Sequence, residues 1–270
     1  MAIAARILLL GGGNMGAAML AGWLDKGVDP AKVTVVDPRI GETLRPLVED
    51  RGVRHSEQVP AETFDVVVLA VKPQMMGEAL APLRAALGAE TVVISVAAGT
   101  TIAMIEAGVG ERAVVRAMPN TPALIGRGIT GAFANARVDD AGRALADALL
   151  AASGPVEWVD SEALIDAVTG VSGSGPAYVF HLAECLAEAG VAAGLPADLA
   201  MRLARHTVAG AGELMIRSPE TPEKLRRNVT SPNGTTQAAL DVLMAEDGLA
   251  PLMQRAVLAA RDRAAALAKE

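Results

Sequence analysis

Short apolar runs alternate with longer segments of mixed polarity through the first half of the chain. Five of the runs are rich in Val, Ile and Leu, at residues 5–10, 32–37, 65–71, 90–96 and 112–118. Such runs are typical of strands buried on both faces of a parallel sheet. The segments between them have helical length and end in glycine, at residues 14–27, 41–52, 74–88 and 100–110. The repeating order predicts an α/β fold, a doubly wound sheet of the Rossmann type.

Two weaker strand patterns follow this region. Residues 128–134 and 155–159 are predicted to form edge strands that flank a helix at residues 139–154. The residues around His55 are predicted to form a loop.

The pattern changes near Ser161, after which the sequence predicts no strand. Four segments are predicted to be helices bounded mostly by Pro or Gly, at residues 175–195, 196–218, 233–248 and 249–270. We therefore expect two domains, a dinucleotide-binding domain over residues 1–160 and an all-α substrate and dimerisation domain over residues 161–270.

The helix predicted after Pro176 is apolar around most of its circumference, with Ser174 as its predicted N-cap. A helix of this kind needs neighbours on all sides, and about a hundred residues are too few to surround it within one subunit. The pattern favours an intertwined homodimer. The alternative is a helix that packs only against the first domain.

Composition narrows the choice of partners. The 270 residues carry a net charge of −7 and a single cysteine, Cys185. An acidic chain is a poor partner for nucleic acid or an anionic membrane surface. No apolar run is long enough to span a membrane, and the apolar start is expected to be a strand and not a signal peptide. The cysteine count fits a reducing compartment, so we expect a cytoplasmic protein. No paired His or Cys spacing indicates a metal site.

The stretch "LLLGGGNMG" has the spacing of a dinucleotide-binding fingerprint. Gly11, Gly13 and Gly16 follow a predicted strand and open a predicted helix, and Asn14 and Met15 lie between the last two glycines. Gly11 permits a tight turn, Gly13 permits close approach of a pyrophosphate to the helix N-terminus, and Gly16 permits close packing.

The end of the second predicted strand gives two conflicting signals about the cofactor. Asp37 is placed to bind the ribose 2′-hydroxyl of NAD. Arg39 is placed to meet the 2′-phosphate of NADP. The preference stays open at this point.

Two further strand ends are candidates for the cofactor site. One follows the strand at residues 65–71, and we expect cofactor contacts from Ala70, Val71, Lys72 and Pro73. A capping turn with a solvated lysine is the alternative. The other, "MPNTP", places Asn120 and Thr121 in a rigid loop, which fits a structural turn as well as a nicotinamide pocket.

A stretch near the C-terminus, "RRNVTSPNGTTQAAL", is dense in hydroxyl groups and has no acid or histidine. Together with "GGGNMG", "AVKPQ", "MPNTP" and "DAVTGVSGSGPAYVF" it resembles pyrroline-5-carboxylate reductase along essentially the whole chain. The resemblance implies an interleaved dimer, commonly assembled as five dimers in a ring. It implies an NADPH-dependent enzyme, with NADH as the competing donor, that reduces the cyclic imine 1-pyrroline-5-carboxylate to L-proline.

The resemblance also assigns residues to the substrate. The residues expected to hold its carboxylate are Ser231, Gly234, Thr235 and Thr236, and Thr236 is expected to lie beside the ring nitrogen as the catalytic hydroxyl. The chain departs from the family pattern at Glu57, where the family often has an asparagine near the adenosine ribose. Together with Asp37, Glu57 would disfavour a 2′-phosphate.

Two other functions fit part of this pattern. A β-hydroxyacid dehydrogenase would share the architecture, but it needs a lysine base on the long interdomain helix, and "AYVFHLAECLAEAG" has none. A non-enzymatic dinucleotide sensor would have no need for the hydroxyl-rich stretch.

Overall fold

A computed structural model describes residues 3–268 of the chain. Residues up to Gly173, together with residues from Ala259 onward, form one compact unit, and Ser174–Leu258 form a second. The predicted domain boundary between residues 160 and 161 stays a prediction. When the chain is divided into compact units, residues 161–173 fall in the unit that contains the sheet. No helix in the described part of the chain has both the length and the apolar character that crossing a membrane requires.

The first unit is built on one eight-stranded sheet with the order β3-β2-β1-β4-β5-β6-β7-β8. The strands are β1 (Ile7–Leu10), β2 (Val33–Val36), β3 (Arg54–Ser56), β4 (Phe64–Leu69), β5 (Leu87–Ser95), β6 (Val114–Met118), β7 (Thr130–Ala134) and β8 (Val156–Trp158). All neighbouring pairs are parallel except β6 and β7. The five predicted strands and the Rossmann-type order are confirmed.

Two strand predictions need correction. The pattern at residues 128–134 does form a strand, β7, but it lies between β6 and β8 and is not an edge. The far edge is β3, which was predicted as a loop. It has three residues, Arg54 is exposed, and its neighbours are half-buried, so no apolar run marks it. The prediction of β8 as an edge strand is confirmed.

The helices of this unit cover both faces of the sheet. They are α1 (Asn14–Asp25), α2 (Arg45–Glu49), α3 (Met76–Leu83), α4 (Ile102–Val109), α5 (Asp140–Leu150) and α6 (Leu164–Val168), which continues as a π-helical turn (Thr169–Gly173). Short 3-10 turns are at Pro30–Lys32, Pro73–Met75, Arg84–Ala86, Thr121–Ile125 and Ala151–Ser153. Helix α2 is much shorter than the predicted 41–52, since its regular part begins only after Leu44.

Alternate residues of the strands supply two separate cores. In β1, Ile7 and Leu9 pack on the face that α1 covers, and Leu8 and Leu10 pack on the opposite face. This follows from the two-residue period of a strand and explains why the run has no polar position. Trp23 of α1 is fully buried in the first core and donates its Nε1–H to the carbonyl of Leu149 at 2.8 Å.

The second unit is helical, as predicted. Its helices are α7 (Gly175–Ala192), α8 (Ala197–Arg217), α9 (Pro222–Asn228), α10 (Thr235–Leu243) and the first part of α11 (Leu249–Leu267). Ser174 does occupy the N-cap position of α7, but the predicted side-chain cap is wrong. Its backbone is helical and its hydroxyl makes no cap bond.

The helical unit has very little core of its own. Over Ser174–Leu258 the buried hydrophobic residues are three alanines, Ala187, Ala200 and Ala204. Many large apolar side chains are exposed instead, among them Val179, Phe180, Leu182, Leu186, Leu214, Ile216 and Val242. A soluble monomer rarely leaves so many large apolar side chains of one unit uncovered.

Candidate active site

The glycine loop between β1 and α1 is fixed by backbone contacts that exclude side chains. Gly11 has φ +99°, and a Cβ there would lie 2.8 Å from the backbone of Ala70. A Cβ on Gly16 would lie 2.1 Å from the carbonyl oxygen of Gly11. Both positions therefore need glycine for the fold itself.

Gly13 differs from the other two glycines of the fingerprint. It is exposed, it is the N-cap residue of α1, and a Cβ built on it meets nothing within 4 Å. The first amides of α1, at Asn14, Met15 and Gly16, have no carbonyl one helical turn earlier to pair with. An open position beside unpaired amides at a helix N-terminus fits a phosphate group.

Asp37 follows β2 and its carboxylate holds the glycine loop. One oxygen, Oδ2, accepts the N–H of Gly12 at 2.7 Å, and the other, Oδ1, accepts the N–H of Arg39 at 2.9 Å. The backbone carbonyl of Asp37 also bonds Nε2 of His55 in β3 at 2.8 Å. Sequence reasoning gave Asp37 only a ligand role and missed this structural one. The extra glycine in "GGG" was the available signal, because Gly12 is the residue whose N–H the Asp37 carboxylate accepts.

A cleft of about 580 Å³ opens at the carboxyl ends of β1, β2 and β4. This volume is within the usual range for small-molecule sites. The predicted cofactor residues that line it are Gly11, Gly13, Asp37, Ala70, Val71 and Lys72, and Glu57 lines it too. Sequence reasoning missed the other walls, which include Gln58, Val59, Met75, Glu78, Ala79 and Pro82.

The remaining predicted cofactor residues do not line this cleft. Asn14 is exposed, Met15 packs partly against the core, and Gly16 is buried under the loop. Arg39 is exposed, and Pro73 begins a 3-10 turn.

Asn120 closes the loop after β6 on itself. Its Oδ1 accepts the N–H of Ile129 at 3.0 Å, and its carbonyl accepts the N–H of Ala123 at 3.0 Å. These bonds match the structural-turn interpretation of "MPNTP" and leave the side-chain NH₂ of Asn120 for other partners.

The hydroxyl-rich turn (Thr230–Thr236) lies in the helical unit and leads into α10. Asn233 is the one residue other than glycine with positive φ in the described chain, at +59°. That backbone brings the N–H of Gly234 to the carbonyl of Ser231 at 3.0 Å and leaves Gly234 as an N-cap without any side-chain cap. The amides of Thr235 and Thr236 thus start α10 with no helical partner.

The side chains of this turn are not equally available. Thr230 donates its hydroxyl to the carbonyl of Arg226 at 2.7 Å and so caps the end of α9. Ser231 and Thr235 are exposed, and Thr236 is half-buried. The four residues predicted to bind substrate, Ser231, Gly234, Thr235 and Thr236, are thus brought together at one helix N-terminus, a favourable position for a carboxylate.

The glycine loop, the sheet order and the cleft at the strand ends define a dinucleotide-dependent oxidoreductase. A family model for the pyrroline-5-carboxylate reductase dimerisation domain matches residues 162–267, and one described as NADP oxidoreductase, coenzyme F420-dependent, matches residues 6–99. The pyrroline-5-carboxylate reductase of Pseudomonas aeruginosa is 43% identical, with 98% of this chain and 97% of that protein covered.

Solved structures agree with the sequence comparison. A pyrroline-5-carboxylate reductase from Coxiella burnetii superposes with a TM-score of 0.90 at 38% identity, covering 98% of this chain and 99% of that one. The Plasmodium falciparum enzyme with NADP bound has a TM-score of 0.84 at 27% identity, covering 99% of this chain and 100% of that one. The chain belongs to the pyrroline-5-carboxylate reductase family, and the resemblance drawn from its motifs is confirmed.

The open space at Gly13 yields a test that separates ligand binding from folding. We expect Gly13→Ala to change the free energy of unfolding by no more than about 0.5 kcal/mol, because its Cβ meets no protein atom. We expect it to weaken NADPH binding by about tenfold or more, because the methyl group occupies the approach of the pyrophosphate. Urea unfolding and quenching of tryptophan fluorescence measure the two effects.

Gly41→Ala is the matched control, since a Cβ there also meets nothing within 4 Å and Gly41 does not line the cleft. Unchanged affinity for NADPH in Gly13→Ala would contradict the site.

Proposed function

We propose that the protein reduces 1-pyrroline-5-carboxylate to L-proline, the last step of proline biosynthesis. The observation that carries the proposal is the start of α10, where hydroxyl groups and unpaired amides meet with no ionisable side chain in the turn itself. This is an arrangement for a small anion, in a chain that matches the reductase family over nearly its full length.

The cofactor site fits a dinucleotide at its phosphate end. Gly11 and Gly16 hold the loop against the sheet, Gly13 leaves open the space that a Cβ would fill, and α1 directs its N-terminus there. NADPH supplies the hydride for the imine carbon when it is bound. Lys72, which lines the same cleft, would supply a positive charge for the phosphates.

The substrate carboxylate is held by the turn that starts α10. Ser231 contributes its hydroxyl, and Gly234 shapes the N-cap. The amides of Thr235 and Thr236 point along the helix axis to the bound anion, where the helix dipole adds to the attraction.

Thr236 acts on the ring nitrogen. A cyclic imine that is already protonated in solution needs no strong acid from the enzyme. A neutral hydroxyl is enough to orient the nitrogen and to stabilise the amine as it forms. The main contribution of the protein is alignment of the two reactants at near-attack distance.

The reaction is tested by following nicotinamide absorbance on addition of racemic pyrroline-5-carboxylate. We expect turnover in the wild type and a fall in kcat/KM of about 100-fold in Thr236→Val, which keeps the shape and removes the hydroxyl. NADPH affinity, measured separately, should not change in this variant.

Thr236→Ser is the matched control, because it keeps the hydroxyl, and it should retain activity within about threefold. Equal activity in Thr236→Val and the wild type would remove Thr236 from the mechanism. A folded wild-type protein that binds NADPH and turns over no imine would overturn the proposed function.

We keep NADPH as the donor, with NADH as the competitor. Arg39 is exposed two residues after Asp37, and its N–H is held by the Asp37 carboxylate. Against NADPH stand three carboxylates that line the cleft, those of Asp37, Glu57 and Glu78. Arg39 is therefore the group that makes a 2′-phosphate acceptable.

Substitution of Arg39 measures this contribution. We expect Arg39→Ala to lower kcat/KM for NADPH by about tenfold, since an exposed charged hydrogen bond to phosphate is lost. The value for NADH should stay within about twofold. Glu57→Gln is the counterpart and should raise the ratio of NADPH to NADH. A strong NADPH preference that survives Arg39→Ala would contradict the role of Arg39.

We also propose an intertwined homodimer, built by the helical unit. The family model that matches residues 162–267 is a dimerisation domain. The exposed apolar side chains around α7 need cover, and the equivalent helices of a second chain supply it. Further assembly into five dimers, which the resemblance implies, adds to this proposal.

The exposed free thiol of Cys185 supports a reducing, cytoplasmic location.

A charge on α7 tests the dimer. Phe180 is 62% exposed in the single chain, so Phe180→Asp removes little packing within that chain. We expect it to convert the dimer into a species of 27.6 kDa, because a carboxylate would be buried at the interface. Multi-angle light scattering measures the mass, and also shows whether the wild type forms decamers.

Ile125→Asp is the control, since Ile125 is 77% exposed but belongs to the sheet unit. A wild-type protein that is monomeric at micromolar concentration would refute the dimer.

A further inference from the structure

Arg116 is the one charged residue that is buried among residues 3–268. It lies in β6 and is only 3% exposed. Its strand neighbours are Ser95 of β5 and Phe133 of β7, so it belongs to the interior of the sheet. The apolar run that predicted β6 gave no reason for an arginine at this position.

The guanidinium group of Arg116 joins elements that are distant in sequence. Its Nη2 donates to Oδ1 of Asp166 in α6 at 2.8 Å, and its Nη1 donates to Oε1 of Glu162 at 3.3 Å. The same Glu162 oxygen accepts the N–H of Ile102, the first residue of α4, at 2.8 Å. One side chain thus connects β6, α6 and the start of α4.

Stability alone does not account for this network. Burying an ion pair removes both charges from water, and an apolar cluster of similar volume is often at least as stable. The Nε of Arg116 is buried without a partner, which adds to the cost. What a planar, forked donor supplies is geometry, because it fixes two carboxylates in one orientation.

The segment held in this way is α6 with the π-helical turn that follows it. Val168 packs on Gly131 of β7, where a Cβ would lie 2.6 Å from its methyl group. Gly173 packs on Met118 at the end of β6, where a Cβ would lie 2.6 Å from Cε. The turn therefore lies directly on the strand ends. Turns of this type inside helices are frequent at functional sites.

The strand order says which part of the cofactor reaches this end of the sheet. The glycine loop after β1 and Asp37 after β2 take the phosphate and adenosine part. Since β4, β5 and β6 continue the sheet on the other side of β1, the nicotinamide half of a bound dinucleotide would extend toward their carboxyl ends.

We propose that Arg116 is a positioning residue for hydride transfer. Through Asp166 and Glu162 it fixes the π-helical turn against the end of β6, and the turn in turn fixes the nicotinamide end of the cofactor. Arg116 touches neither reactant. The inference rests on the proposed function, since it concerns the alignment of that same reaction.

Binding of two nucleotides tests the proposal without turnover. In Asp166→Asn and in Arg116→Met we expect the affinity for NADPH to fall about fivefold to tenfold, because its nicotinamide end loses a fixed wall. The affinity for 2′-phospho-ADP-ribose, which lacks nicotinamide, should stay unchanged. Hydrogen exchange of the amides at residues 164–173 should become faster in both variants.

Kinetics gives the second readout. A misplacement of about 1 Å can cost about 100-fold in rate, so we expect kcat to fall by about 10-fold to 100-fold while KM for the imine changes less than about threefold. Arg51→Met is the matched control, because Arg51 pairs with Asp25 at 3.2 Å on the surface of the same unit. It should change none of these quantities.

A triple variant distinguishes positioning from general stability. Arg116→Met, Glu162→Gln and Asp166→Leu together replace the network with mostly apolar groups, and we expect Tm to recover toward the wild-type value. If Arg116 positions the turn, kcat stays low in this variant. Recovery of kcat together with Tm would overturn the proposal.

Equal loss of affinity for both nucleotides would also overturn it, as would no loss for either. Failure of the proposed function has a different signature, namely a wild-type protein without imine turnover. The binding and exchange results would still decide the role of Arg116 in that case.

Discussion

The position of α1 depends on a close approach between two pieces of backbone, at Gly16 of α1 and the carbonyl of Gly11. No Cβ fits between them. This contact sets α1 directly on the end of β1 and so places its N-terminal amides at the mouth of the cleft. Asp37 completes the arrangement from β2 by accepting the N–H of Gly12. The glycine loop depends on these few contacts, and the rest of the unit supports them.

The local pattern of apolar and polar residues was enough to predict the unit that contains the sheet and the helical unit that follows it. The five strands predicted in the first half of the chain are buried on both faces along most of their length, so most of their positions are apolar. The pattern failed where burial is partial. Strand β3 is short and half-exposed, so it has no apolar run. A contact that ties it to the site is the hydrogen bond between Nε2 of His55 and the carbonyl of Asp37. The neighbours of β7 depend on long-range pairing, which no local window contains.

In the candidate site, too, the parts formed by one continuous stretch were predicted and the parts formed by distant residues were not. Glycine spacing was sufficient to find the loop before α1, and the family resemblance drew attention to the turn before α10, because each is a single continuous stretch. The network of Arg116 could not be found in this way. Its carboxylate partners lie 46 and 50 residues further along the chain, and each looks like an ordinary surface acid in its own segment. The remaining cleft walls from Gln58 to Pro82 likewise come together only when the strands pair.

The scarcity of buried residues in the helical unit has a thermodynamic consequence. Within Ser174–Leu258 only alanines are buried, so burial inside one chain offsets little of the conformational entropy lost on folding. For a proposed dimer of this kind, folding of the helices and association of the chains form one equilibrium. The melting temperature then rises with protein concentration. The abundance of the protein in the cell becomes one of the determinants of its own stability.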